Sequence, residues 1–147
     1  MSWRGVAILS IPSRPAPARR QSVRQAGGGR SRPLLLESRL VKYALPFLYE
    51  KEGVGASFEV GEYWGREVQI DVVGSRKDGR IDLGECRWGR VPLPRAVGEE
   101  LTEKARRYPN PEGATIGLRI FTRECIPAGR TAEGLRHHCL EDIYGDA

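Results

Sequence analysis

The stretch Val68-Gln69-Ile70-Asp71-Val72-Val73, followed after a turn by Arg80-Ile81-Asp82-Leu83-Gly84-Glu85-Cys86-Arg87-Trp88, decides how this chain is read. The first run is short, apolar and β-branched, the pattern of a strand. Ser75–Gly79 reads as a turn ending in Asp78-Gly79, and residues 80–88 read as the returning strand. A three-residue loop Lys77-Asp78-Gly79, with Gly79 left-handed, is a common hairpin connection. It pairs Arg76 with Arg80 and therefore Asp71 with Glu85. Opposed residues on antiparallel strands share a face, their Cβ atoms about 4.5–5.5 Å apart. Arg87, two residues beyond Glu85, points the same way. A two-residue loop would instead set Asp71 opposite Cys86, and the sequence leaves both turn lengths open.

Two carboxylates facing each other in an otherwise apolar hairpin repel and cost stability unless positive charge lies between them. A hard divalent cation fits that gap. Mg²⁺ accepts one or two carboxylates plus substrate phosphate, and Mn²⁺ is the alternative ion. Asp71 and Glu85 are thus the candidate metal ligands, and Arg87 the candidate group that orients water or stabilises phosphate charge. On spacing alone, the simpler reading is structural, with Arg87 salt-bridged to one of the acids.

Outward from the hairpin, Leu34, Leu35, Leu36, Leu40, Val41, Ala44, Leu45 and Leu48 recur at helical spacing, predicting a helix over about 34–49. Pro46 should kink or shorten it. Phe58-Glu59-Val60 and Tyr63-Trp64-Gly65 are apolar and aromatic runs before the hairpin. Pro94 can open a helix reaching Arg107, and Thr115–Thr122 is another clear strand. A short helix after Thr131 and a last strand at Leu140–Tyr144 complete the pattern. Helix, strands, helix, strand, helix predicts α/β or α+β packing on a mixed central sheet flanked by helices.

The net charge of +5 suggests a nucleic-acid partner, but its distribution does not. Residues 1–33 hold seven Arg, four Pro, a triple Gly and no acid, whereas the rest of the chain carries a net −2. Residues 1–33 are expected to be a disordered tail, since they cannot bury enough apolar surface to offset their ordering entropy. Residues 34–147 are the expected folded domain. No apolar run approaches the ~20 residues of a membrane-spanning helix, so no membrane partner is expected. Three cysteines without a CxxC pair argue against a disulfide framework or a structural zinc site. Reduced thiols and a cytoplasmic location are the simpler reading. A cluster of His137, His138 and Cys139 is a weak metal candidate, because adjacent residues rarely converge on one ion.

Asp71, then thirteen residues, then Glu85-Cys86-Arg87 resembles the D-x(n)-(D/E)-x-K motif of the PD-(D/E)XK nuclease-like superfamily. Tyr63-Trp64-Gly65, Gln69-Ile70-Asp71-Val72-Val73 and Gly84-Glu85-Cys86-Arg87-Trp88 together look like the C-terminal domain of unknown function of archaeal and bacterial DEXX-box ATPases. The likeness spans about Leu36–Phe121. It implies a restriction-endonuclease-like core, a Mg²⁺-dependent action on DNA, and a site in which the helical Glu37 joins Asp71, Glu85 and Arg87. Two positions depart from the pattern: Arg87 stands for the motif lysine, and Gln69 for the usual glutamate before Ile-Asp. Arginine keeps the charge but cannot act as a base. No GxxxxGK[ST] phosphate loop occurs in the chain, so an ATPase would be encoded separately. Alternatively the chain is a stand-alone domain or a truncated remnant of an ATPase.

Two functions follow. One is a metal-dependent endonuclease acting on DNA. The other is a non-catalytic nuclease-like module that binds nucleic acid or a partner ATPase. Arg95, Lys104, Arg106 and Arg107 could line a phosphate path or simply solvate a helix face. Trp64 and Trp88 could stack on bases, although packing against the sheet is the simpler role.

Overall fold

The apolar stripe Val41, Ala44, Leu45, Leu48, Tyr49 lies on a helix, α1 (Pro33–Lys51), and every one of these side chains is buried. A computed structural model describes residues 33–89, 94–127 and 129–145. The predicted tail therefore lies almost wholly outside the described residues. Pro46 falls inside α1 without ending it. The lost hydrogen bond and ring clash cost about 3 kcal/mol, which burial of two Leu side chains, at about 1.5–3 kcal/mol each, offsets.

After α1 come β1 (Phe58–Trp64), β2 (Gln69–Arg76), β3 (Arg80–Arg87), α2 (Pro94–Arg107), β4 (Thr115–Thr122), β5 (Leu135–Cys139) and α3 (Leu140–Tyr144). The two apolar runs before the hairpin are one strand, β1. The five strands form one mixed sheet in sequence order. β1, β2 and β3 run antiparallel, while β4 and β5 add in parallel to β3. The fold class is accordingly mixed α/β, as the helix–strand order predicts, with α2 as the crossover between the parallel pair β3 and β4.

Each sheet face buries its own cluster. Under α1, Val60, Val72, Phe121 and Ile143 meet the helix stripe. On the other face Val68, Ile70, Val73 and Leu83 pack with Leu101 of α2. The glycine of the Gly84-Glu85-Cys86 run is required by the first cluster: a Cβ there would stand 2.9 Å from the Phe121 ring and 3.3 Å from Val72.

Two expectations are corrected at the C-terminal end. Residues 135–139 form a strand and 140–144 a helix, the reverse of the predicted order. Pairing with β4, from Leu118↔Leu135 to Thr122↔Cys139, fixes the strand. Asp142 Oδ2 accepts the Cys139 N–H at 2.9 Å and so caps the helix that follows. The same pairing returns Cys125, three residues past Thr122, to Cys139, and these two form a disulfide with Cα atoms 4.9 Å apart. The expectation of three reduced thiols fails because sequence spacing did not reveal that β4 and β5 are neighbours. None of the described helices is long and apolar enough to cross a membrane.

Candidate functional site

The β2–β3 hairpin has the three-residue loop. Gly79 adopts φ +79° and donates its N–H to the Arg76 carbonyl at 3.3 Å. The ladder then runs from Ser75↔Ile81 to Val72↔Gly84. On the other side of β2, Gly61 pairs with Val73 and Tyr63 with Ile70. Asp71 and Val72 thus stand against the single residue Glu62, which is a β-bulge. Bulges re-aim side chains and gather beside functional sites. Here the bulge frees Asp71 from regular pairing, and its Oδ2 accepts the Cys86 N–H at 3.0 Å. The Asp71 carboxylate consequently lies against the Glu85–Arg87 end of β3.

Glu85 is buried, with only 1% of its side chain exposed, yet both its oxygens are engaged. Lys104 Nζ donates to Oε1 at 2.8 Å and Arg87 Nη1 to Oε2 at 3.2 Å. Burial raises the Glu85 pKa above the ordinary carboxylate range, and the neighbouring Asp71 charge raises it further; Lys104 and Arg87 pull the other way. Arg87 also grips Glu100 through Nη2, at 3.0 and 3.1 Å to the two carboxylate oxygens. Asp71, Glu85 and Arg87 are thereby brought together. Glu37 lies on α1, but its side chain is outside the described residues.

Lys104 is the residue that sequence reasoning missed at this site. The signal was present: Pro94, Gly98 and Leu101 make the buried stripe of α2, and Lys104 follows Leu101 by three positions, on the same face. The other basic residues of this helix are exposed and paired within it. Arg95 pairs with Glu99, and Arg106 and Arg107 both pair with Glu103. Beside the cluster, between the start of β2 and α2, lies a cavity of about 340 Å³ lined by Glu67, Gln69, Glu100, Glu103, Lys104 and Arg107. Trp88 packs on the α1-side core, whereas Trp64 is 56% exposed at the end of β1.

A second ionic cluster lies beneath α1, with Glu52, 25% exposed and also paired with Arg136, at its edge. Arg119, 1% exposed, donates to both oxygens of Glu52 at 2.6 and 2.8 Å and to Asp82 Oδ2 at 3.3 Å. Tyr49 donates its hydroxyl to the same Asp82 oxygen at 2.6 Å. Burial, and then this bond, push the Tyr49 phenol far above its usual range. Arg119 Nη1 lies 3.1 Å from His138 Nε2. Because a guanidinium only donates, that ring nitrogen must accept, and His138 is neutral. Burial, reinforced by the Arg119 charge, lowers the His138 pKa to about 4.

Compared with protein-family models, curated proteins and solved structures, the chain matches none of them.

Proposed function

We propose that this is a PD-(D/E)XK nuclease-like domain whose Asp71–Glu85 pair serves metal-dependent phosphodiester chemistry on DNA. One observation carries the reading: the β2 bulge and the inward face of α2 gather two carboxylates, Lys104 and Arg87 into one cluster. The order of one helix, three antiparallel strands, a crossover helix and a parallel strand supports it.

The donor set of two carboxylates suits Mg²⁺ or Mn²⁺, being all oxygen. Asp71 and Glu85 would hold the ion, which would supply charge neutralisation and a water of lowered pKa. Lys104 supplies what Arg87 cannot. An ammonium is a compact charge that can lose its proton, whereas a guanidinium stays protonated. Arg87, oriented by its two-oxygen grip on Glu100, presents a planar donor group to a phosphate.

A second reading, a non-catalytic nuclease-like module for nucleic acid or a separately encoded ATPase, is favoured by a specific observation. Both Glu85 oxygens are already neutralised by cations of the protein itself. Moreover, the cavity beside them has three acidic and two basic side chains, a poor attractor for phosphate.

Isothermal titration of Mg²⁺ and Mn²⁺ into the full chain separates the two readings, repeated with a DNA duplex present so that phosphate can complete the site. Saturable binding lost in Asp71→Asn and Glu85→Gln, with metal-dependent cleavage of plasmid or single-stranded DNA, is the result expected of the nuclease. Binding in neither titration rules out metal-dependent catalysis and leaves the non-catalytic module.

A further inference from the structure

The disulfide at the end of the sheet is crowded by acids that gain nothing from it. Asp142 Oδ2 lies 3.2 Å from Cys139 Sγ, and Glu141 Oε2 lies 3.8 Å from Cys125 Sγ. A disulfide sulfur carries no proton, so neither carboxylate receives a hydrogen bond from it. The Asp142 carboxylate is held there by the Cys139 N–H that it caps, which leaves sulfur and oxygen donors side by side.

We propose that Cys125 and Cys139, when reduced, form with Asp142 and Glu141 a binding site for a borderline-soft divalent metal, Zn²⁺ foremost. The two sulfurs and an Asp142 oxygen already lie within 4.8 Å of one another. Tetrahedral Zn²⁺ takes thiolate at about 2.3 Å and carboxylate at about 2.0–2.2 Å, which such a group satisfies after small side-chain rotations. Thiolates select zinc over Mg²⁺, so this site is distinct in chemistry as well as position from the Asp71–Glu85 pair. Asp142 is already oriented by the Cys139 N–H at 2.9 Å, the kind of outer bond that fixes a ligating carboxylate. Cys139 is fully buried and Cys125 exposed, giving the ion one protein wall and one open approach.

His137 and His138 are not part of this site. Thr122 Oγ1 lies 2.6 Å from His137 Nε2, and Arg119 occupies His138 Nε2. The metal would perform the disulfide's task, tying the loop after β4 to the junction of β5 and α3. The exchange balances simply: a phosphine or dithiol reductant supplies two electrons, solvent supplies two protons to give two thiols, and Zn²⁺ displaces those protons on binding.

The test uses the full chain, reduced with a phosphine, freed of metal and kept anaerobic. Titration with Co²⁺ is expected to give sulfur-to-cobalt charge-transfer absorption and the visible bands of a tetrahedral ion. These saturate at one equivalent and are abolished by stoichiometric Zn²⁺. Cys125→Ser and Cys139→Ser should each lose the charge-transfer band. Asp142→Asn should weaken Co²⁺ binding at least tenfold, the lower end of what losing even an outer-shell partner costs. Cys86→Ser should leave the titration unchanged. If Cys139→Ser fails to fold, the exposed Cys125 and Asp142 variants still decide. Absence of the band in the reduced wild type, its persistence in Cys125→Ser, or equal Co²⁺ binding by the oxidised chain each overturns the proposal.

Discussion

The two faces of the sheet each hold an ionic cluster, and they solve the same electrostatic problem differently. Beneath α1, Arg119 is enclosed by Glu52, Asp82, Tyr49 and His138, with the guanidinium and the Asp82 carboxylate both cut off from water. On the α2 face, Glu85 is equally buried, but its partners Lys104 and Arg87 are 26% and 33% exposed and reach out to Glu100 at the surface. The first cluster reaches solvent only through Glu52, which is 25% exposed and also pairs with the surface Arg136, and it serves the fold. The second opens beside a cavity and can exchange its partners. Burial of a charge by itself therefore does not mark a functional site; a buried charge whose partners line a cavity, as Lys104 and Glu100 do, is the better indicator.

The largest expected effect tests the closed face. Arg119→Met leaves the buried Asp82 without its cation, and Glu52 with Arg136 alone, and should cost about 3–5 kcal/mol. Urea unfolding measures this, and a loss under about 1 kcal/mol would contradict a structural role.

The pH dependence of that face is the next largest. The His138 pKa is lowered from 6.5 to about 4 in the folded protein. Its contribution is present in full above pH 6.5, where the unfolded side chain is also neutral. It is lost as pH falls toward 4, because the unfolded state then binds the proton first. The change is about 3 kcal/mol by linkage. His138→Gln should flatten the stability profile over that window, and an unchanged slope would place the titration elsewhere.

A smaller effect bears on the strand shared by both clusters. Gly84→Ala directs a methyl at the buried Phe121 ring and should destabilise by about 1–3 kcal/mol through overpacking. Thermal unfolding of the single variant is sufficient to measure it.

Lys104→Met should produce a change in stability of about 1–2 kcal/mol, since it takes one hydrogen bond from the buried Glu85 carboxylate while Arg87 still faces it. Its effect on the site should be larger and two-sided. Mg²⁺ affinity should rise because a competing cation has left Glu85, while any cleavage activity should fall. A parallel loss of affinity and activity would show instead that Lys104 orders the carboxylates.

The hairpin and its neighbours were legible because their signals are local. The Asp78-Gly79 turn marks the hairpin and allows the three-residue loop that the strand register selects, and alternation then puts Glu85 and Arg87 on the face that Asp71 joins. Lys104 was read only as one of several basic residues on a possible phosphate path, because it is nineteen positions from Glu85 and its meeting with that acid depends on how α2 docks. Asp82 and Arg119 looked like ordinary strand residues for the same reason: they lie 37 positions apart. The β5–α3 order was misread since, among the described residues, Leu135–Cys139 is an edge strand paired with β4 alone, and an isolated five-residue segment carries little propensity of its own.

The sequence by itself determined the helix–strand order through α2 and β4, and it narrowed the central hairpin to two loop lengths, one of which brings Asp71, Glu85 and Arg87 together. Each of these follows from apolar periodicity or turn chemistry within a few residues. Only the tertiary structure decided that Asp71 sits in a bulge, that Lys104 neutralises Glu85, that Arg119 is buried among acids, and that Cys125 returns to Cys139. Those outcomes depend on which strands become neighbours and how helices dock on them. Long-range burial sets that choice, and no short window of sequence encodes it.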